Sequence, residues 1–162
     1  MNIWRLISHH HTPAESAEWN RRHGTIAIGF GEIGDLRERS FGTEGDLKRL
    51  AVKVRPASTI SQNVSGGCSL WRLYSEMKKG DLIIMSDGAR RVFTMRVTGD
   101  YYFEATDPTH YYEHRRKAEV VQIDSDRLWQ FSGGAAAGEN IRRTLVRCGR
   151  TLTEEELNAF VG

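Results

Sequence analysis

The chain has 162 residues, 39% hydrophobic and 27% charged, with a formal net charge of +2. This composition predicts one folded domain and excludes wholesale disorder, and a net charge so mild is no proof of nucleic-acid binding. No window reaches the ~20 apolar residues of a membrane span, and no apolar run at the amino end suits a signal peptide. Cys68 and Cys148 have no metal-ligand spacing and imply no disulfide framework, so a reduced cytoplasm is the expected setting.

In chain order, Ile3, Trp4, Leu6 and Ile7 predict a first strand over 2–8. The triplet His9-His10-His11 invites a metal reading, but three adjacent side chains point in different directions and no carboxylate or cysteine stands at a ligand spacing. Residues 12–22 read as a loop or short helix carrying Trp19, a lid over the core or part of a binding rim. From Gly24, alternation of Ile26, Ile28 and Phe30 predicts a strand whose last aromatic reaches the mouth of the core. Gly29 to Gly34 mimics a Gly-x-Gly-x-x-Gly fingerprint. No amphipathic helix opens after it and no second strand brings the expected acid, so a dinucleotide site is rejected.

Thr43 and Asp46 form a capping-box pattern ahead of a helix with Leu47, Leu50, Ala51 and Val54 on one stripe, closed by Pro56. Next, Ser61 to Gly67 reads as a small-polar glycine loop leading into a helix with Leu70, Leu73, Tyr74 and Met77 at i, i+3, i+4 and i+7. Trp71 flanks that stripe. A helix N-terminus with small residues and a large aromatic one turn in makes a binding wall, or else Trp71 simply completes the core. Asp87-Gly88 predicts a hairpin between strands at 82–85 and 91–97. Tyr101, Tyr102 and Phe103 follow, then a loop at 108–113 with Tyr111 and Tyr112. The basic cluster His114-Arg115-Arg116-Lys117 opens a strand to Ile123, as a phosphate grip or as edge-strand charge. Residues 140–146 read as a strand or short helix, and Thr153 with Glu156 opens a final helix containing Leu157 and Phe160. Together these predict an α+β fold: a curved, mostly antiparallel sheet or small barrel with helices packed at its ends.

Four stretches carry a resemblance: 24–36 (Gly-Thr-Ile-Ala-Ile-Gly-Phe-Gly-Glu-Ile-Gly-Asp-Leu), 79–84 (Lys-Gly-Asp-Leu-Ile-Ile), 96–102 (Arg-Val-Thr-Gly-Asp-Tyr-Tyr) and 114–120. In that order they are similar to the EVE-like domain at the amino end of Mrr-type restriction endonucleases, within the PUA, ASCH, EVE and YTH group. The resemblance is strongest over 24–123 within one domain of 1–162, leaving 124–162 as an extension. It implies a PUA-like curved antiparallel barrel and a non-catalytic module that reads a modified base in an aromatic-lined pocket, in a restriction or defence context. Phe30 stands where relatives often carry tryptophan. Phe30, Gly31, Glu32, Asn63, Ser65, Gly66, Trp71 and Tyr101 would then line the pocket, and Arg91, His114, Arg115, Arg116 and Lys117 would approach nucleic-acid backbone. The implied partner is nucleic acid, DNA before RNA, with a separate nuclease as a possible partner, no membrane, no cofactor and no metal. Two other readings stand beside it: an interaction subunit of a larger restriction or toxin system, and an enzyme acting on a nucleotide-like ligand. The only acid–base candidates near Phe30 are Glu32 and Asp35, residue types that in glycine-rich loops more often cap backbone N–H groups.

Overall fold

The computed structural model describes residues 1–55, 60–105 and 112–161, with 60–65 described by their backbone alone. Strands β1 (Ile3–Leu6), β2 (Thr25–Ile28), β3 (Leu82–Ser86), β4 (Arg91–Phe103), β5 (His114–Val121) and β6 (Leu145–Arg147) form one sheet in the order β2-β5-β4-β3-β1-β6. Helices α1 (Pro13–His23), α2 (Glu44–Val54), α3 (Ile60–Trp71), α4 (Ser125–Phe131) and α5 (Glu154–Val161) pack around it. The α+β class is as predicted, with two corrections. The sheet is not a closed barrel, since β2 and β6 stand at its two ends, and it is mixed, since β1 pairs with β3 in parallel. Asp81 explains that central pairing. Its carboxylate accepts from the Asn2 backbone N–H at 2.8 Å, from Trp4 Nε1 at 3.0 Å and from the Lys78 backbone N–H at 3.0 Å. One buried acid thus ties the start of β1 to the turn that launches β3.

Locally determined elements lie where their chemistry puts them. The Asp87-Gly88 turn joins β3 to β4, with Gly88 at φ +91. The Asp87 carboxylate accepts from the N–H groups of Ala89 and Arg90. Thr43 and Asp46 close a reciprocal capping box on α2, and Thr153 and Glu156 do the same on α5. By contrast, Gly99 and Asp100 make no turn. β4 runs through them as one strand, with a register shift between Val97 and Tyr101.

The largest departure from expectation is α3. It begins at Ile60, so the predicted glycine loop is helix, and Gly66 and Gly67 sit inside it. Each mid-helix glycine costs roughly 1 kcal/mol against alanine, and close packing is what offsets it. A Cβ on Gly67 would meet the Lys48 Cα of α2 at 2.7 Å, and one on Gly66 would meet the Phe30 ring tip at 2.2 Å. The glycines therefore let α2 and Phe30 approach the helix. After Trp71 the helix widens into one π turn, Arg72–Glu76, closed by the Met77 N–H donating to the Arg72 carbonyl at 2.8 Å.

Two apolar cores result. The first is shared by Ile26 and Ile28 of β2, Trp4, Leu6 and Leu145 at the opposite end of the sheet, and Leu47, Leu70 and Leu73 of the helices on that face. α1 bridges the edge of β2: Asn20 Oδ1 accepts from the Ala27 N–H at 2.8 Å, and Asn20 Nδ2 donates to Ser8 Oγ at 2.8 Å. The second core, around Ile3, Leu82, Ile84, Leu128, Leu152 and Leu157, lies under α4 and α5. Sequence reading left α4 out, although Asp124 caps it through the Arg127 N–H at 2.7 Å.

Candidate functional site: the Phe30 corner

β2 ends at Ile28, and the chain turns sharply into a 3-10 turn, Gly31–Ile33. Phe30 makes that turn at φ +68 and ψ +33, and among the described residues it is the one non-glycine with positive φ. A bulky side chain in the left-handed region is a genuine outlier, costing on the order of 1–3 kcal/mol, and it persists only where its surroundings over-determine it.

Three contacts do so here. The Phe30 carbonyl accepts from His114 Nε2 at 3.0 Å. The ring tip enters the notch over Gly66. The Arg55 guanidinium lies over the ring, 4.0 Å from its centroid. Glu32 holds that guanidinium in place, accepting from Arg55 Nε at 3.0 Å and Nη2 at 2.9 Å. Beside it, a Cβ on Gly31 would overlap the buried Glu113 carboxylate at 2.2 Å, so only glycine lets the turn lie this close to β5. The half-buried Phe30 ring, the partly exposed Arg55 and the Glu32 carboxylate form a flat, charged corner.

A buried relay supports it from behind. His114 is fully buried. Because the Phe30 carbonyl can only accept, His114 carries its proton on Nε2. Nδ1 then accepts from the Tyr101 hydroxyl at 2.8 Å, and the Leu36 N–H donates to the Tyr101 oxygen at 3.2 Å. Burial, the largest cause, pushes the His114 imidazole down to about 4; the Phe30 carbonyl and the charges of Asp35 and Glu32 oppose it. Burial likewise pushes the Tyr101 phenol well above its ordinary value. The relay is neutral at physiological pH and positions the corner; it does not line it.

Several expectations are corrected by this geometry. His114 and Arg116 are buried and do not approach a polyanion. Arg116 Nε donates to the Leu73 carbonyl at 2.5 Å, Nη2 to that of Tyr74 at 3.0 Å and Nη1 to that of Gly99 at 3.3 Å, joining the π turn to the irregularity in β4. Tyr101 sits behind the corner. Trp71 packs partly buried against the first core. It lies five residues, or about 140°, round α3 from Gly66 at 3.6 residues per turn, so it and Phe30 do not share one side of that helix. With α3 starting at Ile60, the N–H groups of Gly66 and Gly67 are helix-interior and offer no anion site. Asn63 and Ser65 fall in α3, but their side chains lie outside the described residues, as do Pro56 and the segment 106–111 with Tyr111. Arg91 is exposed and pairs with Asp126 at 2.5 Å, far along β4. Arg115 and Lys117 are the members of the basic cluster that face outward.

What sequence reading missed is Arg55, and no local signal marks it, since its partners lie 23 and 25 residues away. The acid–base candidates are both tied. Glu32 is the bidentate partner of Arg55; Asp35 accepts from the Arg37 guanidinium and from the Arg37 N–H, which holds its carboxyl below the usual range. The histidine triplet scatters: His9 sets its ring edge against Tyr112, and His10 Nε2 lies 3.4 Å from Thr144 Oγ1. Both cysteines are free thiols and buried. No helix among the described residues is long and apolar enough to cross a membrane.

A family model described as "Domain of unknown function (DUF8426)" matches residues 4–128, and the chain belongs to that family. No curated protein and no solved structure matches it.

Proposed function

We propose that this member of the family is a non-catalytic nucleic-acid-binding module that reads a base, DNA before RNA, at the Phe30 corner. The observation that carries the reading is the left-handed Phe30, strained and held on three sides under a guanidinium aligned by Glu32. Backbone strain of this kind gathers at binding sites. A planar guanidinium on an aromatic ring is a stacking surface for a nucleobase. The pairing of Glu32 and Asp35 with arginines supports binding over turnover, since both carboxylates are engaged by guanidinium groups. The PUA-like assignment belongs to the same proposal. It is supported by the sharing of one apolar core between β2 and the β1–β6 end of the sheet, as in a strongly curved sheet.

The test is fluorescence anisotropy with modified and unmodified oligonucleotides at two salt concentrations. We expect a salt-sensitive affinity that favours one modified base. Phe30→Ala should weaken that preferred complex about tenfold, within the ~1–3 kcal/mol of one stacked base. Gly66→Ala, which keeps the ring but closes its notch, should do the same without loss of helix. Equal binding by wild type and both variants, each melting as a folded protein, overturns the reading.

A further inference from the structure

A second aromatic assembly stands beside the corner, and the base reading does not use it. On α1, Trp19 stacks on Tyr112 with ring centroids 3.9 Å apart and planes 4° apart, and on His23 at 3.9 Å and 16°. Two parallel rings that close cannot lie on one face of an indole without overlapping, so Trp19 is sandwiched between them. His9 sets an edge against Tyr112 at 5.3 Å, and the Arg115 guanidinium lies 4.9 Å from the Trp19 ring. Arg115 Nε also donates to the Tyr112 carbonyl at 2.5 Å, locking the column to the start of β5. His23 ends the column, with its Nδ1 donating to the Trp19 carbonyl at 2.8 Å. That bond fixes the imidazole plane on the column. His23 is exposed, and among the described residues Trp19 is its one ring partner.

The charge around this exposed ring is one-sided. Arg21, Arg22 and His23 occupy the last turn of α1. Lys117 is exposed, lies in register with Thr25 two residues beyond His23, and among the described residues has no ion-pair partner. Arg21 and Arg22 share the one carboxylate of Glu18. Three consecutive residues link the column to the corner: Tyr112 joins the column, Glu113 lies against Gly31, and His114 donates to Phe30.

We infer that the His23 end of this column is a stacking platform for a single-stranded nucleic acid, with Lys117 and Arg22 taking its phosphates. This rests on the nucleic-acid reading above and adds a sequence-independent contact to it. Successive bases stack on rings regardless of identity, and nearby cations follow the backbone. The platform extends Trp19 and Tyr112, themselves held by Arg115, so its orientation is set before a strand arrives.

The experiment measures anisotropy of a labelled single-stranded oligothymidylate across a salt series, for wild type, His23→Ala, Lys117→Gln and Arg147→Gln. His23→Ala should lower affinity at least fivefold. Lys117→Gln should reduce the slope of log affinity against log salt by about 0.7, the share of one phosphate contact on a single strand. Arg147→Gln, which removes an exposed cation on β6 at the far end of the sheet from β2, should leave oligothymidylate binding within twofold of wild type. If wild type binds and neither His23→Ala nor Lys117→Gln changes affinity or slope, the platform is wrong, whatever the corner does. If both change it while Phe30→Ala spares selectivity for modified strands, the platform stands and the corner reading fails. No oligothymidylate binding by wild type overturns the platform.

Discussion

Arg116→Met should lower stability by about 3 kcal/mol, read as a drop in the urea midpoint with an unchanged slope and a melting point about 10 °C lower. Two effects compete. Burying a guanidinium without a carboxylate is costly, and Arg116 has no ion-pair partner among the described residues; burial accordingly pushes its guanidinium down. A methionine of similar volume removes that cost. Against it stand three hydrogen bonds from a charged donor to the carbonyls of Leu73, Tyr74 and Gly99, each worth roughly 1.5–3 kcal/mol. The first two carbonyls belong to the π turn, where the helical bonding pattern changes and accepting groups are left over. The lost bonds outweigh the recovered desolvation. Arg116→Lys, one charge without the planar fork, should recover less than half of the loss. A stability equal to or above wild type for Arg116→Met would show that these contacts contribute nothing.

Acid should unfold this protein through His114. The imidazole is neutral in the fold, with its value depressed from 6.5 to about 4. Between those two pH values the unfolded chain binds a proton that the folded chain refuses. Stability is therefore complete above about pH 6.5, falls as pH falls through the window, and has lost about 3 kcal/mol from this group by pH 4. His114→Gln keeps a donor for the Phe30 carbonyl but cannot titrate. The difference between wild-type and variant stability across pH cancels the carboxylates and isolates the histidine. That difference should change by about 3 kcal/mol from pH 7 to pH 4, whereas a flat difference would place a charged His114 in the fold.

Much of the fold was legible because its signals are local. The Asp87-Gly88 turn and the capping boxes at Thr43 and Thr153 each act within four residues, and each lies where expected. The start of α3 was not legible. Two glycines read as a loop until Lys48 and the Phe30 ring are brought against them, and those partners come from α2 and the turn after β2. The basic cluster at 114–117 misled for a related reason. Strand alternation places His114, Arg116 and Ala118 on one face and Arg115, Lys117 and Glu119 on the other. Four adjacent basic residues suggest a surface patch, yet the buried pair answers to the Phe30 carbonyl and the π turn. Ala118 between two charged neighbours was the available hint of an inward face. Phe30 was legible as the residue at the mouth of the core, but its wall is Arg55 and not Trp71. That pairing depends on how α2 lies against the turn after β2.

The most direct measurement is a backbone amide NMR titration of the wild-type protein with the oligonucleotide it prefers. The base-reading account predicts that the largest shifts fall on Phe30, Gly31, Glu32, Arg55 and Gly66, with smaller ones at His23 and Lys117 and none at Trp71 or along α5. Shifts confined to α4 and α5, or a spectrum unchanged at saturating oligonucleotide, would contradict it.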